Sequence, residues 1–196
     1  MKTRMMVTFF LFFLVIGVPQ AKDKEFAYQG KVEGMVCAFC VYNVSNKIHE
    51  LPGVEKDSVN VELKSGRVEF LSKQLVSEKV VGKLFEDSGF KLLSLKKTDK
   101  NTLSNVEFSK TAQISISFPT NELSAMEDLL VKLGDLAEKQ MSLVNVDAPK
   151  AIEMDLLKPI IAGRQQTIKV KFTPKNSKQV AIKIFPMVIM NEQHAK

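Results

Sequence analysis

Hydrophobic positions along the chain change their rhythm several times, and each change marks an element. The first is an apolar run from Met5 to Val18, preceded by Lys2 and Arg4 and followed by Pro19, Gln20 and Ala21. It is shorter than the ~20 apolar residues a bilayer span requires. A cationic start, an apolar middle and a small residue at the end is the order of an export signal. Residues 1–21 are therefore read as a signal peptide cut after Ala21, and the mature chain as periplasmic or otherwise exported. Pro19 stands where a small residue is usual before such a cut, so retention as an anchor is the alternative.

Residues 25–97 then alternate between two-residue and three-to-four-residue periodicity. Glu25 to Glu33 puts Phe26 and Tyr28 on one face and predicts a strand. Val41, Val44, Ile48 and Leu51 recur at helical spacing, and Pro52-Gly53 closes that helix. Val54 to Leu63, with Val59, Val61 and Leu63 on one side, and Arg67 to Leu71 predict a hairpin around Lys64-Ser65-Gly66. A second helix starts after Ser77 with Val80, Val81, Leu84 and Phe85 as its buried stripe, Gly89 ends it, and Phe90 to Leu95 forms a fourth strand. Strand, helix, strand, strand, helix, strand is the ferredoxin-like βαββαβ order, with two helices over one face of an antiparallel sheet.

The second half reads less sharply. Residues 98–105 are polar and predict a linker, and 106–196 a separate α+β domain of unknown function. Within it Gln113 to Phe118 alternates as a strand, and a long amphipathic helix runs from about Asn121 to Met141 on Leu123, Met126, Leu129, Leu130, Leu133 and Leu136. Thr167 to Phe172 and Gln179 to Ile189 read as strands joined by a turn at Pro174-Lys175-Asn176, in a region rich in antiparallel strands. Asp147 to Gly163, punctuated by Pro149 and Pro159, stays without an assigned form.

Composition narrows the function. The chain has 196 residues, 45% of them hydrophobic, which is enough for one or two cored domains. Its formal charge is +6, and a cleaved signal removes Lys2 and Arg4 from that surplus. The remaining Lys residues are mixed with Glu and Asp along both halves, as on a solvated surface, which argues against nucleic acid as a partner.

Candidate chemistry concentrates at the chain's two cysteines, Cys37 and Cys40, in Gly34-Met35-Val36-Cys37-Ala38-Phe39-Cys40. Thiolate sulfur is soft and selects Cu(I), Hg(II), Zn(II) or Cd(II) over Mg or Ca. Two sulfurs two residues apart at a loop-to-helix junction can converge on one ion, and the helix start lowers the cost of deprotonating Cys40. Two ligands suit Cu(I) and Hg(II), whereas Zn(II) prefers four. His49 lies well along the helix, where a lone His is ordinarily a surface residue. Met187, Met190 and His194 form a second, weaker soft-ligand group at the end of the chain.

The Gly34 to Cys40 segment resembles the GMxCxxC signature of the heavy-metal-associated domain family, found in copper chaperones, copper-transporting ATPases and the periplasmic mercury-binding protein. Leu51-Pro52-Gly53-Val54 and Asp87-Ser88-Gly89-Phe90 match it as well, and the resemblance covers about residues 26–97. It implies a non-enzymatic protein that binds a soft ion, Cu(I) or Hg(II), at Cys37 and Cys40, and the signal segment makes that protein an exported one. It also implies passage of the ion to or from a partner such as a membrane metal transporter. The resemblance further implies that Met35 packs beneath the loop, that Phe90 lies near it as shield or core, and that Phe39 is exposed between the cysteines. Two other readings stand beside it. One is an interaction or sensor module on the same fold. The other is a thiol-disulfide redox protein, since Cys-x-x-Cys at a helix start in an oxidising compartment also forms disulfides.

Overall fold

The structure, a computed structural model, describes residues 24–104, 106–164 and 168–188. The signal segment, Met190 and His194 lie outside the described residues. The first half contains β1 (Phe26–Glu33), α1 (Ala38–His49), β2 (Asn60–Val61), β3 (Arg67–Ser72), α2 (Glu78–Glu86) and β4 (Lys91–Thr98). The strands form an antiparallel sheet in the order β2-β3-β1-β4. This is the ferredoxin-like arrangement, because each helix crosses between strands that are not chain neighbours in the sheet. Alternation supplies the core: Val68 and Phe70 of β3 and Tyr28 of β1 face Val41, Val44 and Ile48 of α1 and Val81 and Phe85 of α2. Tyr28 and Phe70 stack with ring centroids 5.2 Å apart.

The predicted strand from Val54 to Leu63 is mostly not a strand. A 3-10 turn occupies Lys56–Ser58, and pairing with β3 is limited to Asn60–Val61 and an isolated bridge from Val54 to Ser72. Ser58 explains this locally, since its hydroxyl donates to the Glu55 carbonyl at 2.6 Å and accepts the Leu71 N–H at 2.8 Å. A side chain that satisfies nearby backbone groups competes with ladder formation. At the following turn Gly66 has φ +69°, and an added Cβ would strike the Val32 carbonyl, so that position requires glycine.

The polar stretch after β4 does not hang free. Its Lys100 pairs with Glu25, and the Ser104 N–H donates to Glu69 at 3.0 Å. Glu69 is buried on the sheet face opposite the helices, between Gln29 and Asn60, which both donate to it. Residues 100–104 thus strap the outer face of the sheet.

The second half contains β5 (Glu107–Phe108), β6 (Ile114–Pro119), α3 (Glu127–Lys139), β7 (Leu143–Ala148), α4 (Glu153–Ile161), β8 (Lys169–Pro174), β9 (Gln179–Phe185) and β10 (Met187–Val188). A four-stranded sheet runs β6-β9-β7-β8, and β5 pairs with β10 in a separate ribbon. Several expectations change here. The amphipathic helix is α-helical only over Glu127–Lys139, with 3-10 geometry across Thr120–Met126. The segment left unassigned holds β7 and α4. The strands on either side of Pro174 do not form a hairpin: β7 lies between them, and β7 and β8 run parallel through the α4 crossover. Parallel pairing requires such a crossover, and α4 is short and contains Pro159, which hid it in the sequence. Pro186 interrupts the last predicted strand between β9 and β10.

α1 serves both halves. Its Val41, Val44 and Ile48 stripe faces the first core, while Tyr42 belongs to the second, with Leu130, Leu157, Ile160 and Ile182. The Tyr42 hydroxyl donates to Glu153 of α4 at 2.6 Å, and the Ala38 N–H donates to the Arg164 carbonyl at 3.2 Å. Further along, Lys171 pairs with Asp57 at 2.7 Å, and Lys169 donates to the Asp57 carbonyl at 2.9 Å. Among the described residues no helix is long and apolar enough to cross a membrane.

Candidate metal centre

The loop between β1 and α1 brings the two cysteines together. Gly34 at φ +102° turns the chain out of β1 and packs near Phe90 and the Gly89 carbonyl. Cys37 is the N-cap of α1, in extended conformation, and Cys40 falls in the first turn. The helical repeat turns their side chains toward each other, and the two Sγ atoms lie 3.4 Å apart as free thiols, both half-buried. The Cys37 carbonyl accepts the Cys40 N–H at 3.0 Å and the Val41 N–H at 3.3 Å, which fixes the turn.

Electrostatics at this end of α1 favour thiolate. The first turn holds no acidic residue, so its positive dipole end is left to the sulfurs, while Lys47 and His49 sit near the negative end. Burial pushes the Cys40 thiol up, but hydrogen bonds from the Val36 backbone, the Cys37 side chain and the backbone of Cys37 and Cys40 outweigh it, and its pKa falls below the usual thiol value. Among the described residues no cluster of three or more His, Cys, Asp or Glu is placed to hold a metal ion.

The neighbours sort as follows. Met35 packs partly buried against the first core, beneath the loop, and Phe90 packs on the same core beside Gly34. Val36 is exposed. Phe39 is not exposed as expected: it is partly buried against the second core, its ring centroid 6.4 Å from that of Tyr42. The apolar cover of the second half drew it in, and a residue between the two cysteines became a packing residue. His49, half-buried, has its Nε2 3.2 Å from the Lys56 carbonyl, its pKa lowered chiefly by burial, and lies at the opposite end of α1 from the thiols. Met187 lies in β10, paired with Phe108, apart from the dithiol loop.

Sequence reasoning missed Ala38, Phe39, Tyr42, Glu153 and Arg164 as a connected group. One signal was available: Tyr42 is a large aromatic standing off the Val41, Val44, Ile48 stripe, and such a residue announces a second packing face.

Residues 31–91 match the model of the heavy-metal-associated domain. That segment of the chain is a heavy-metal-associated domain, and it contains β1 from Lys31, the dithiol loop, both helices and the β2-β3 hairpin. The solution structure of the N-terminal domain of ZntA in the Zn(II) form is similar over 41% of this chain and 97% of that one, at 24% identity and a TM-score of 0.31. No curated protein matches the chain.

Proposed function

We propose that this protein is an exported, non-enzymatic carrier that binds one soft metal ion between Cys37 and Cys40 and passes it to a partner. The supporting observation is the pair of free Sγ atoms 3.4 Å apart at an acid-free helix N-terminus, within a heavy-metal-associated domain. Two thiolates without a third ligand suit a low-coordinate ion, which favours Cu(I), with Hg(II) next, as the cargo. Thiolate exchange between this site and a similar dithiol on an acceptor, such as a membrane metal transporter, would move the ion without releasing it. The chain's two halves act as a metal-binding domain, residues 25–97, and an accessory domain, 106–196.

Reduced protein lacking residues 1–21, titrated anaerobically with Cu(I) against a chromophoric chelator, is expected to hold one equivalent. The Cys37→Ser/Cys40→Ser variant is expected to hold none. Equal binding by both proteins would remove the dithiol from the function.

The short Sγ separation also favours a second reading, reversible disulfide formation by the same pair. A measured reduction potential separates the two. A value within the range of thiol-disulfide oxidoreductases, together with catalysed reduction of a substrate disulfide, would favour redox chemistry.

A further inference from the structure

The dithiol loop is held by the other half of the molecule at three consecutive points. The N–H of Ala38, the first residue of α1, donates to the Arg164 carbonyl at 3.2 Å. Phe39 packs against the second core, and Tyr42, one turn on, is buried in that core with its hydroxyl on Glu153 at 2.6 Å. Two of these residues, Ala38 and Phe39, are the ones between the cysteines.

The sulfurs themselves are set close, 3.4 Å apart. Metal–sulfur bonds of about 2.3 Å place two sulfurs roughly 3.8 Å apart around a tetrahedral ion and about 4.6 Å apart around a linear one. Any such ion must spread the pair. Cys40 lies within α1, where helical backbone on both sides holds it, so it is the poorer candidate to move. Cys37, as the N-cap, has extended backbone and enters the helical ladder only through its carbonyl, and displacing it displaces the Cys37–Ala38 peptide, whose N–H the Arg164 carbonyl accepts.

We propose that metal loading and docking of the second half are antagonistic. Spreading the sulfurs loosens the Ala38–Arg164 hydrogen bond, and the docked second half in turn holds the dithiol in its narrow, metal-poor geometry. This rests on the dithiol being the metal site. Linkage makes the coupling reciprocal: whatever weakens docking must strengthen metal binding by the same factor that metal weakens docking. The second half then acts as a built-in restraint on loading, and a partner that engages it would change the affinity of the dithiol.

Two measurements on the full mature chain test this, with Ag(I) as a redox-inert probe of soft-ion binding. In the first, amide hydrogen exchange is followed by NMR with and without one equivalent of Ag(I). The Ala38 amide is expected to exchange at least fivefold faster when loaded, while Val44 and Ile48 in the middle of α1 stay protected. In the second, Tyr42→Phe, which keeps the ring and removes the bond to Glu153, is expected to bind Ag(I) at least threefold more tightly than wild type. If Ag(I) binds through the cysteines but Ala38 protection is unchanged or increased, and Tyr42→Phe binds no more tightly, the antagonism is wrong and the metal site stands. If the Cys37→Ser/Cys40→Ser variant binds Ag(I) as wild type does, the dithiol reading fails, and the antagonism with it.

Discussion

The two halves are built on the same plan, a four-stranded sheet carrying two helices, yet one helix start, that of α1, differs from the other three in a way that separates chemistry from architecture. α3 opens with Glu127 and Asp128, and α4 with Glu153 and Asp155. Carboxylates there neutralise the positive end of the helix and stabilise it. α1 opens with no acid and offers its positive end to Cys37 and Cys40. α2, in the same half as α1, opens with Glu78, so the same physical device is used for stability at three helices across both halves and left open for a reactive pair at the fourth. Layering alone therefore assigns no function to the second half, and in the first it is the dithiol, not the layering, on which the proposed function rests.

Truncating each core tests how separate the halves are. Phe70 and Leu157 are fully buried, one in each. Phe70→Ala is expected to cost about 3–5 kcal/mol and Leu157→Ala about 2–5 kcal/mol in denaturant unfolding. Phe70→Ala should also weaken Cu(I) binding, and Leu157→Ala should leave it within tenfold. Equal damage to binding by both would mean that the dithiol depends on one continuous core.

At the site itself, Cys37→Ser and Cys40→Ser singly are each expected to lower Cu(I) affinity by more than about 100-fold, since loss of even an outer-sphere partner costs roughly 10–100-fold. Chelator competition on each variant reads this directly. A loss confined to one cysteine would mean that the pair is not a symmetric two-ligand site.

The strap across the outer face gives a smaller effect with a defined pH dependence. Burial raises the Glu69 pKa, but hydrogen bonds from Gln29, Ser104 and Asn60 outweigh it and hold it below its ordinary value of 4.5. A folded-state pKa below the unfolded one makes the contribution complete above about pH 4.5 and removes it as pH falls through the lower folded value. Glu69→Ala is expected to cost about 1–3 kcal/mol at neutral pH by orphaning these donors. Its stability gap to wild type should narrow in acid. A gap constant down to pH 2 would show that the ionised carboxylate is not what holds the strap.

The gentlest test concerns independence. A fragment of residues 22–104 keeps the strap on Glu69 and should fold and bind Cu(I) within tenfold of the full chain, about 1.4 kcal/mol. A fragment ending at Lys97 loses Ser104 and Lys100 and should be the less stable of the two by thermal unfolding. An unfolded longer fragment would show that the heavy-metal-associated domain needs its accessory half.

Much of the first half was legible because its signals are local. Alternation at Val68 and Phe70, the stripe at Val41, Val44 and Ile48, and the breaks at Gly53, Gly66 and Gly89 each depend on a few neighbours in sequence. The second half was harder because its decisive facts are long-range. Nothing near Thr173 or Gln179 says that β7 inserts between β8 and β9, and Pro159 disguises α4 as a turn. The dithiol could be read from spacing alone, but its cover could not, because Arg164 and Ala38 meet only through the packing of α4 beside α1.

Gly134 of α3 shows how far such packing reaches. Arg164 donates to the Val131 carbonyl and to Asp135 on either side of that glycine, and a methyl group at Gly134 would collide with the Arg164 guanidinium and the Ile160 carbonyl. No larger residue fits without moving α4 or expelling the arginine. The same arginine presents its carbonyl to the first turn of α1. One added carbon atom on the inner side of α3 would thus be felt, through Arg164, at the dithiol loop in the other half of the chain.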